Sequence, residues 1–85
     1  IMNKIKNIRI NEKNISFNYL HEAEGEDWGF IEYNIEENKI INKIEAKKDK
    51  EYSEFYFGEH ALKFVLSLFY DNDILSNKEY INIWY

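Results

Sequence analysis

The chain is expected to fold as a single α+β domain in the order ββββαβ, an antiparallel meander of about five strands with one helix packed on one face. Three observations lead there. Apolar residues recur at every second position in successive segments between residues 4 and 46, the period of a half-buried strand. Short runs rich in Asn, Glu, Lys and Gly separate those segments, and tight loops of this kind join antiparallel neighbours. Apolar spacing then turns helical between residues 55 and 70, and alternation returns in residues 79–85.

The first strand is expected over residues 4–10, with Ile8 and Ile10 on one face. Asn11-Glu-Lys-Asn14 is turn chemistry, because asparagine tolerates left-handed backbone and bonds its own chain. Ile15, Phe17 and Tyr19 alternate with Ser16 and Asn18, giving a second strand to about residue 22. Glu24-Gly25-Glu26-Asp27 is the next turn. From Trp28 to Ile35 alternation resumes, with Ile31, Tyr33 and Ile35 facing one way and Phe30, Glu32 and Asn34 the other. Glu36-Glu-Asn-Lys39 turns again, and Ile40 to Ala46 forms a fourth strand with Ile40, Asn42, Ile44 and Ala46 on one face.

Lys47 to Glu51 reads as a charged connector. Phe55, Glu59, Leu62, Leu66 and Phe69 then fall at helical spacing, with Ala61, Val65 and Leu68 widening the stripe. The clearest helix runs from about Glu59 to Tyr70, with Ser53 or Gly58 as alternative caps and Tyr52–Phe57 as a possible extended lead. Asp71-Asn-Asp73 stops it. Ile81, Ile83 and Tyr85 alternate with Tyr80, Asn82 and Trp84 in the last strand. One helix covers only part of a five-stranded sheet, so the other face meets water or a partner. Trp28, Phe30, Tyr80 and Trp84 are out of phase with the isoleucines of their own strands, and are expected to cap the sheet's ends or to line its open face.

Eighty-five residues make one small domain. With no cysteine, its stability rests on apolar packing, which a content of 45% hydrophobic and 18% aromatic residues supports. Thirteen isoleucines favour strands. No apolar run approaches the ~20 residues that span a bilayer, and no apolar stretch follows the N-terminus as in a signal peptide. A cytoplasmic location is the expectation. Ile1 ahead of Met2 reads as a remnant, with Met2 the expected natural start and residues 2–85 the domain.

The net charge of −5 is uneven. Residues 1–20 balance at +3 and residues 21–40 at −6, with Glu22, Glu24, Glu26 and Asp27 crowded beside Trp28. An acidic chain is repelled by phosphate backbones, so no nucleic-acid partner is expected, whereas a basic protein partner is favoured. The acidic turn lacks the Asp-x-Asn-x-Asp-Gly spacing and later glutamate of a calcium loop. Its bland reading is a solvated hairpin tip; its functional reading is an interaction patch built from Glu22, Glu24, Glu26, Asp27 and Trp28.

Catalytic readings fare less well. His21 and His60 are the only histidines, and acid–base work by either needs a carboxylate that sequence does not place beside it. His60, near a helix N-terminus, is expected to be neutral. Threonine is absent, no serine has a nucleophile-elbow context, and Gly25, Gly29 and Gly58 are too scattered to cradle phosphate. No enzyme activity, cofactor or metal is expected.

Trp28-Gly-Phe-Ile-Glu-Tyr before a hairpin, Tyr56-Phe-Gly-Glu-His-Ala-Leu opening a helix, and the terminal Ile-Trp-Tyr together resemble small bacterial immunity proteins of polymorphic or contact-dependent toxin systems. The resemblance covers residues 28–85. It implies a compact acidic α+β domain that binds a toxin domain and blocks its active site or substrate groove. The leading expectation is therefore a non-enzymatic inhibitor of a basic, nuclease-type toxin. Two alternatives stand beside it. One is a phage-encoded inhibitor that mimics phosphate toward a host nucleic-acid enzyme. The other is a structural module that oligomerises through a sheet edge, since no proline guards one, or through the open aromatic face.

Overall fold

The structure, a computed structural model, describes residues 1–21, 27–52, 55–74 and 78–84. Its strands are β1 (Met2–Asn11), β2 (Asn14–His21), β3 (Gly29–Asn34), β4 (Lys39–Ile44) and β5 (Tyr80–Ile83). Two helices, α1 (Lys47–Tyr52) and α2 (Tyr56–Tyr70), lie between β4 and β5. All pairings are antiparallel, in the order β4-β3-β2-β1-β5. The last strand thus returns to flank the first, and the expected α+β meander is the fold.

Ile5, Ile15, Phe17, Tyr19 and Ile31 of the sheet pack with Phe57, Ala61 and Val65 of α2 to form the core. Burying such side chains stabilises by about 1.5–3 kcal/mol each. The same strands turn a second set of side chains away from α2, and this open face is where the sequence pattern needed correction.

In β1, Ile5 and Ile8 differ by an odd number of residues yet both join the core cluster. A bulge reconciles them. Lys6 pairs with Asn18 and Arg9 with Ser16, so Asn7 and Ile8 together oppose one residue of β2. Asn7 takes a left-handed φ of 56°, tolerable for asparagine, and its Nδ2 donates to Asn18 Oδ1 at 3.0 Å. The slip keeps Ile8 and Ile10 on the helix side, as their alternation requires.

A second bulge corrects the fourth strand. Tyr33 pairs with Ile40 and Glu32 with Asn42, which leaves Ile41 unpaired. Ile40 therefore packs toward the core, whereas Asn42 and Ile44 fall on the open face, opposite Glu32 and Phe30. Strand alternation assumes an unbroken ladder, and one inserted residue reverses every side chain beyond it.

The helical region also differs from expectation. Lys47–Tyr52 is a helix rather than a connector, and α2 begins at Tyr56, ahead of Glu59. Gly58 lies inside α2, and its N-cap position, Phe55, offers no side-chain cap; Ser53 lies outside the described residues. The cap comes instead from α1. Asp49 Oδ1 accepts from Phe57 N at 2.8 Å, and Asp49 Oδ2 accepts from Gly58 N at 2.9 Å. These are two of the N–H groups that a helix start leaves without an internal partner. At the other end, Asn72 N donates to Phe69 O and Asp73 N to Leu68 O, with Asn72 left-handed at φ 57°. This is a Schellman stop with asparagine in the position that glycine usually fills.

Tyr19 completes the helix start. Its hydroxyl donates to Asp49 Oδ2 at 2.5 Å and accepts from Ala46 N at 3.0 Å. Burial first, and the Asp49 hydrogen bond second, push the Tyr19 phenol far above its ordinary range. The ring reaches Asp49 by passing over Gly29, where a Cβ would sit 2.4 Å from Tyr19 Cε1 and 2.7 Å from Ala46 N. Only glycine leaves room for that crossing.

Candidate functional site

The open face is read directly from the ladder, because cross-strand partners point the same way. One row runs Ile44, Phe30, Asn18, Lys6 across β4, β3, β2 and β1. The next row runs Asn42, Glu32, Ser16, Arg9. Toward the opposite end, Leu20, Lys4 and Ile81 form a third row, and Met2 and Ile83 a fourth. The face is thus apolar at both flanks and polar between them. Ile44, Ile81 and Ile83 are 60%, 57% and 58% exposed, while Leu20 is buried.

Trp28, one residue before β3, lies over this face. Lys6 Nζ sits 3.9 Å from its ring centroid, a cation–π contact of the kind that contributes about 0.5–1 kcal/mol when exposed. Trp28 is half-buried and Asp27 is exposed. Glu22, Glu24 and Glu26 lie outside the described residues. Of the acidic-turn residues, the structure therefore places Trp28 over the open face, with exposed Asp27 next to it in the chain.

On the helix side, aromatic rings gather around the start of α2. The rings of His21 and Phe57 are 4.0 Å apart. His60 stacks on Trp84 with centroids 4.0 Å apart and planes 8° from parallel. Trp84 Nε1 donates to Tyr56 Oη at 2.8 Å. Two amides from the sheet seal the arrangement: Asn3 Nδ2 donates to Phe57 O at 3.0 Å and Asn82 Nδ2 to His60 O at 3.2 Å. Burial, and then the nearby Lys63 ammonium, lower the His60 pKa, with Glu59 opposing them. The expected direction holds, but desolvation is its main cause rather than the helix dipole. Each histidine ring is packed on an aromatic.

Tyr80 and Trp84 do not line the open face. Tyr80 is buried beside Phe64 with ring centroids 6.0 Å apart, and Ile81 and Ile83 point outward in their place. The physical reason is the partner set. The covered side of β5 meets His60 and Phe64 of α2, where Trp84 stacks on the first and Tyr80 packs edge-on against the second, and that fixes the phase of the strand. Alternation alone does not say which of two apolar sets faces in.

Three open-face cations escaped the sequence reading: Lys4, Lys6 and Arg9, against the single carboxylate of Glu32 in the same rows. Their signal was present, since Lys4 and Lys6 alternate with Asn3 and Ile5. The domain is therefore two-toned, with a basic sheet face on a chain of net charge −5. Asp49 and Tyr19, which join α1, α2 and β2, were also missed. Among the described residues, no three His, Asp or Glu side chains gather as a metal site. None of the described helices is long and apolar enough to cross a membrane.

Fold and surface together define a small α+β domain in which, among the described residues, no helix covers the second face of the sheet. No family model matches the sequence, and comparison with curated proteins and with solved structures returned no match.

Proposed function

We propose that this domain is a non-enzymatic protein-binding inhibitor, and that it acts as an immunity protein toward a basic, nuclease-type toxin domain. The observation that carries this reading is Trp28, which lies over a sheet face that also presents the exposed Ile44, Ile81 and Ile83, with exposed Asp27 next to it in the chain. A large aromatic edged by charge and flanked by exposed aliphatics is the composition of an interface anchor. Glu22, Glu24 and Glu26 precede Asp27 and Trp28 in the chain and add the charge that steers a basic partner.

The test is binding to the product of the neighbouring gene, expressed as a catalytically dead toxin domain. Trp28→Ala weakens binding by about 30-fold, the loss expected of a hot-spot residue worth about 2 kcal/mol. Glu24→Lys with Glu26→Lys weakens it further, and more at low salt than at high. A neighbouring product that does not bind, or binding indifferent to all three substitutions, refutes the reading.

A further inference from the structure

The sheet has two edges, and they are unlike. At β4, Ile41 is bulged and Lys39 and Lys43 stand on the strand. A bulge and lysines are the ordinary guards against edge-to-edge pairing. Between Tyr80 and Ile83, β5 has neither a charge nor a proline nor a bulge.

The direction of its backbone groups follows from one hydrogen bond. Trp84 N donates to Ile1 O at 2.9 Å, so Trp84 turns its main chain toward β1. In an antiparallel ladder this direction alternates. Asn82 and Tyr80 therefore also bond inward, and Ile81 and Ile83 direct N–H and C=O outward, away from β1. Their side chains lie on the open face, more than half exposed.

From this edge we infer that β5 pairs with β5 of a second copy of this chain across a two-fold axis. The register is set by the outward groups. Ile81 of one copy faces Ile83 of the other, twice, and Asn82 faces its own counterpart on the axis. The paired edge then forms one continuous ten-stranded sheet, with four isoleucines in contact on a single face. An interface of this kind is isologous, each copy offering the same patch. Charge decides against the other edge. Two-fold pairing of β4 brings Lys39 and Lys43 of both copies to one seam, and the bulge at Ile41 breaks its ladder, both of them guards against edge pairing. At β5 the facing residues, isoleucine and asparagine, carry no charge.

Pairing two four-residue strands buries several hundred Å² at most, below the roughly 1,200 Å² of a standard stable interface. The dimer is accordingly weak, and its population depends on concentration. This inference is independent of the proposed inhibitor role and uses the edge of the sheet rather than the surface around Trp28.

Sedimentation equilibrium from about 10 μM to about 1 mM, the range of weak contacts, tests it. The weight-average mass rises from 10.4 kDa toward twice that value. Ile83→Lys places a charge against an isoleucine and weakens association at least tenfold. Ile81→Pro removes only an outward N–H, a position where edge strands accept proline, and also yields a monomer. Circular dichroism verifies the fold of each variant, and either one that folds suffices. Asn82→Cys, in a chain without cysteine, crosslinks on mild oxidation in buffer but not in urea, because facing residues of a non-hydrogen-bonded pair bring their Cβ atoms within disulfide reach. A single monomer mass throughout the range overturns the inference and leaves the edge to another chain. So does a dimer that survives Ile83→Lys and Ile81→Pro, or one that Asn82→Cys fails to crosslink.

Discussion

Replacing Asp49 by alanine removes one side chain that three buried donors share. Tyr19 Oη, Phe57 N and Gly58 N all end on its carboxylate, at 2.5, 2.8 and 2.9 Å, and Asp49 itself is fully buried. Each donor left unsatisfied in the interior costs about 1–3 kcal/mol. The two at the helix start also lose a cap, a change that alone costs about 0.5–2 kcal/mol. The terms overlap, because Tyr19 Oη retains Ala46 N and α2 shifts to recover part of the loss. A total of about 3–5 kcal/mol results, at the upper end of single-residue effects. Urea denaturation followed by circular dichroism and tryptophan fluorescence measures it directly, the midpoint falling with little change in slope. Tyr19→Phe supplies the companion value, about 1–3 kcal/mol from the loss of one buried hydroxyl and the orphaning of Ala46 N. In the double variant the two losses add to less than their sum, because they share a hydrogen bond. An Asp49→Ala loss within about 1 kcal/mol, or strict additivity with Tyr19→Phe, refutes the assignment of Asp49 as the cap of α2.

Gly29→Ala forces a methyl group against the Tyr19 ring and Ala46 N, and is expected to lower stability by about 1–3 kcal/mol in the same urea assay; an unchanged midpoint contradicts the crossing. Asn72→Ala costs about 1 kcal/mol in thermal melts because alanine resists the left-handed C-cap, whereas Asn72→Gly is neutral or stabilising. The fold lowers the His60 pKa, so at acid pH the unfolded chain binds the extra proton more readily. As pH falls below about 6.5, the ordinary histidine value, wild-type stability declines relative to His60→Gln, and the difference levels off once pH drops below the depressed folded value. Parallel pH series of urea midpoints check the sign; a relative gain on acidification contradicts it.

Alternation and helical spacing survive folding wherever a ladder or a helix is uninterrupted, which is why β2, β3 and the body of α2 were legible. What escaped were single-residue events. Asn7 and Ile41 each shift a register by one, and only the tolerance of asparagine for left-handed backbone hinted at the first. The Asp49 cap escaped because it acts on residues eight and nine positions ahead, from a separate helix. N-cap patterns describe a residue adjoining its own helix, and no local period marks a cap of this kind. For the candidate site, Trp28 was legible as an aromatic without a core phase. Lys6 beneath it was not, because strand pairing alone brings residues 6 and 28 together.

The pairing of β5 with β1 joins Met2 to Ile83 and Lys4 to Ile81, which makes the first strand wait for the last. While the chain is being synthesised, β1 and β2 meet early through their short turn, but β5 cannot pair with the outer side of β1 until residues 80–83 have emerged from the ribosome. Through that interval the nascent domain exposes Asn3 and Ile5 on an open strand, and contacts of such long sequence separation form slowly. The hazard of an unguarded edge therefore begins on β1 during translation and passes to β5 when folding is complete.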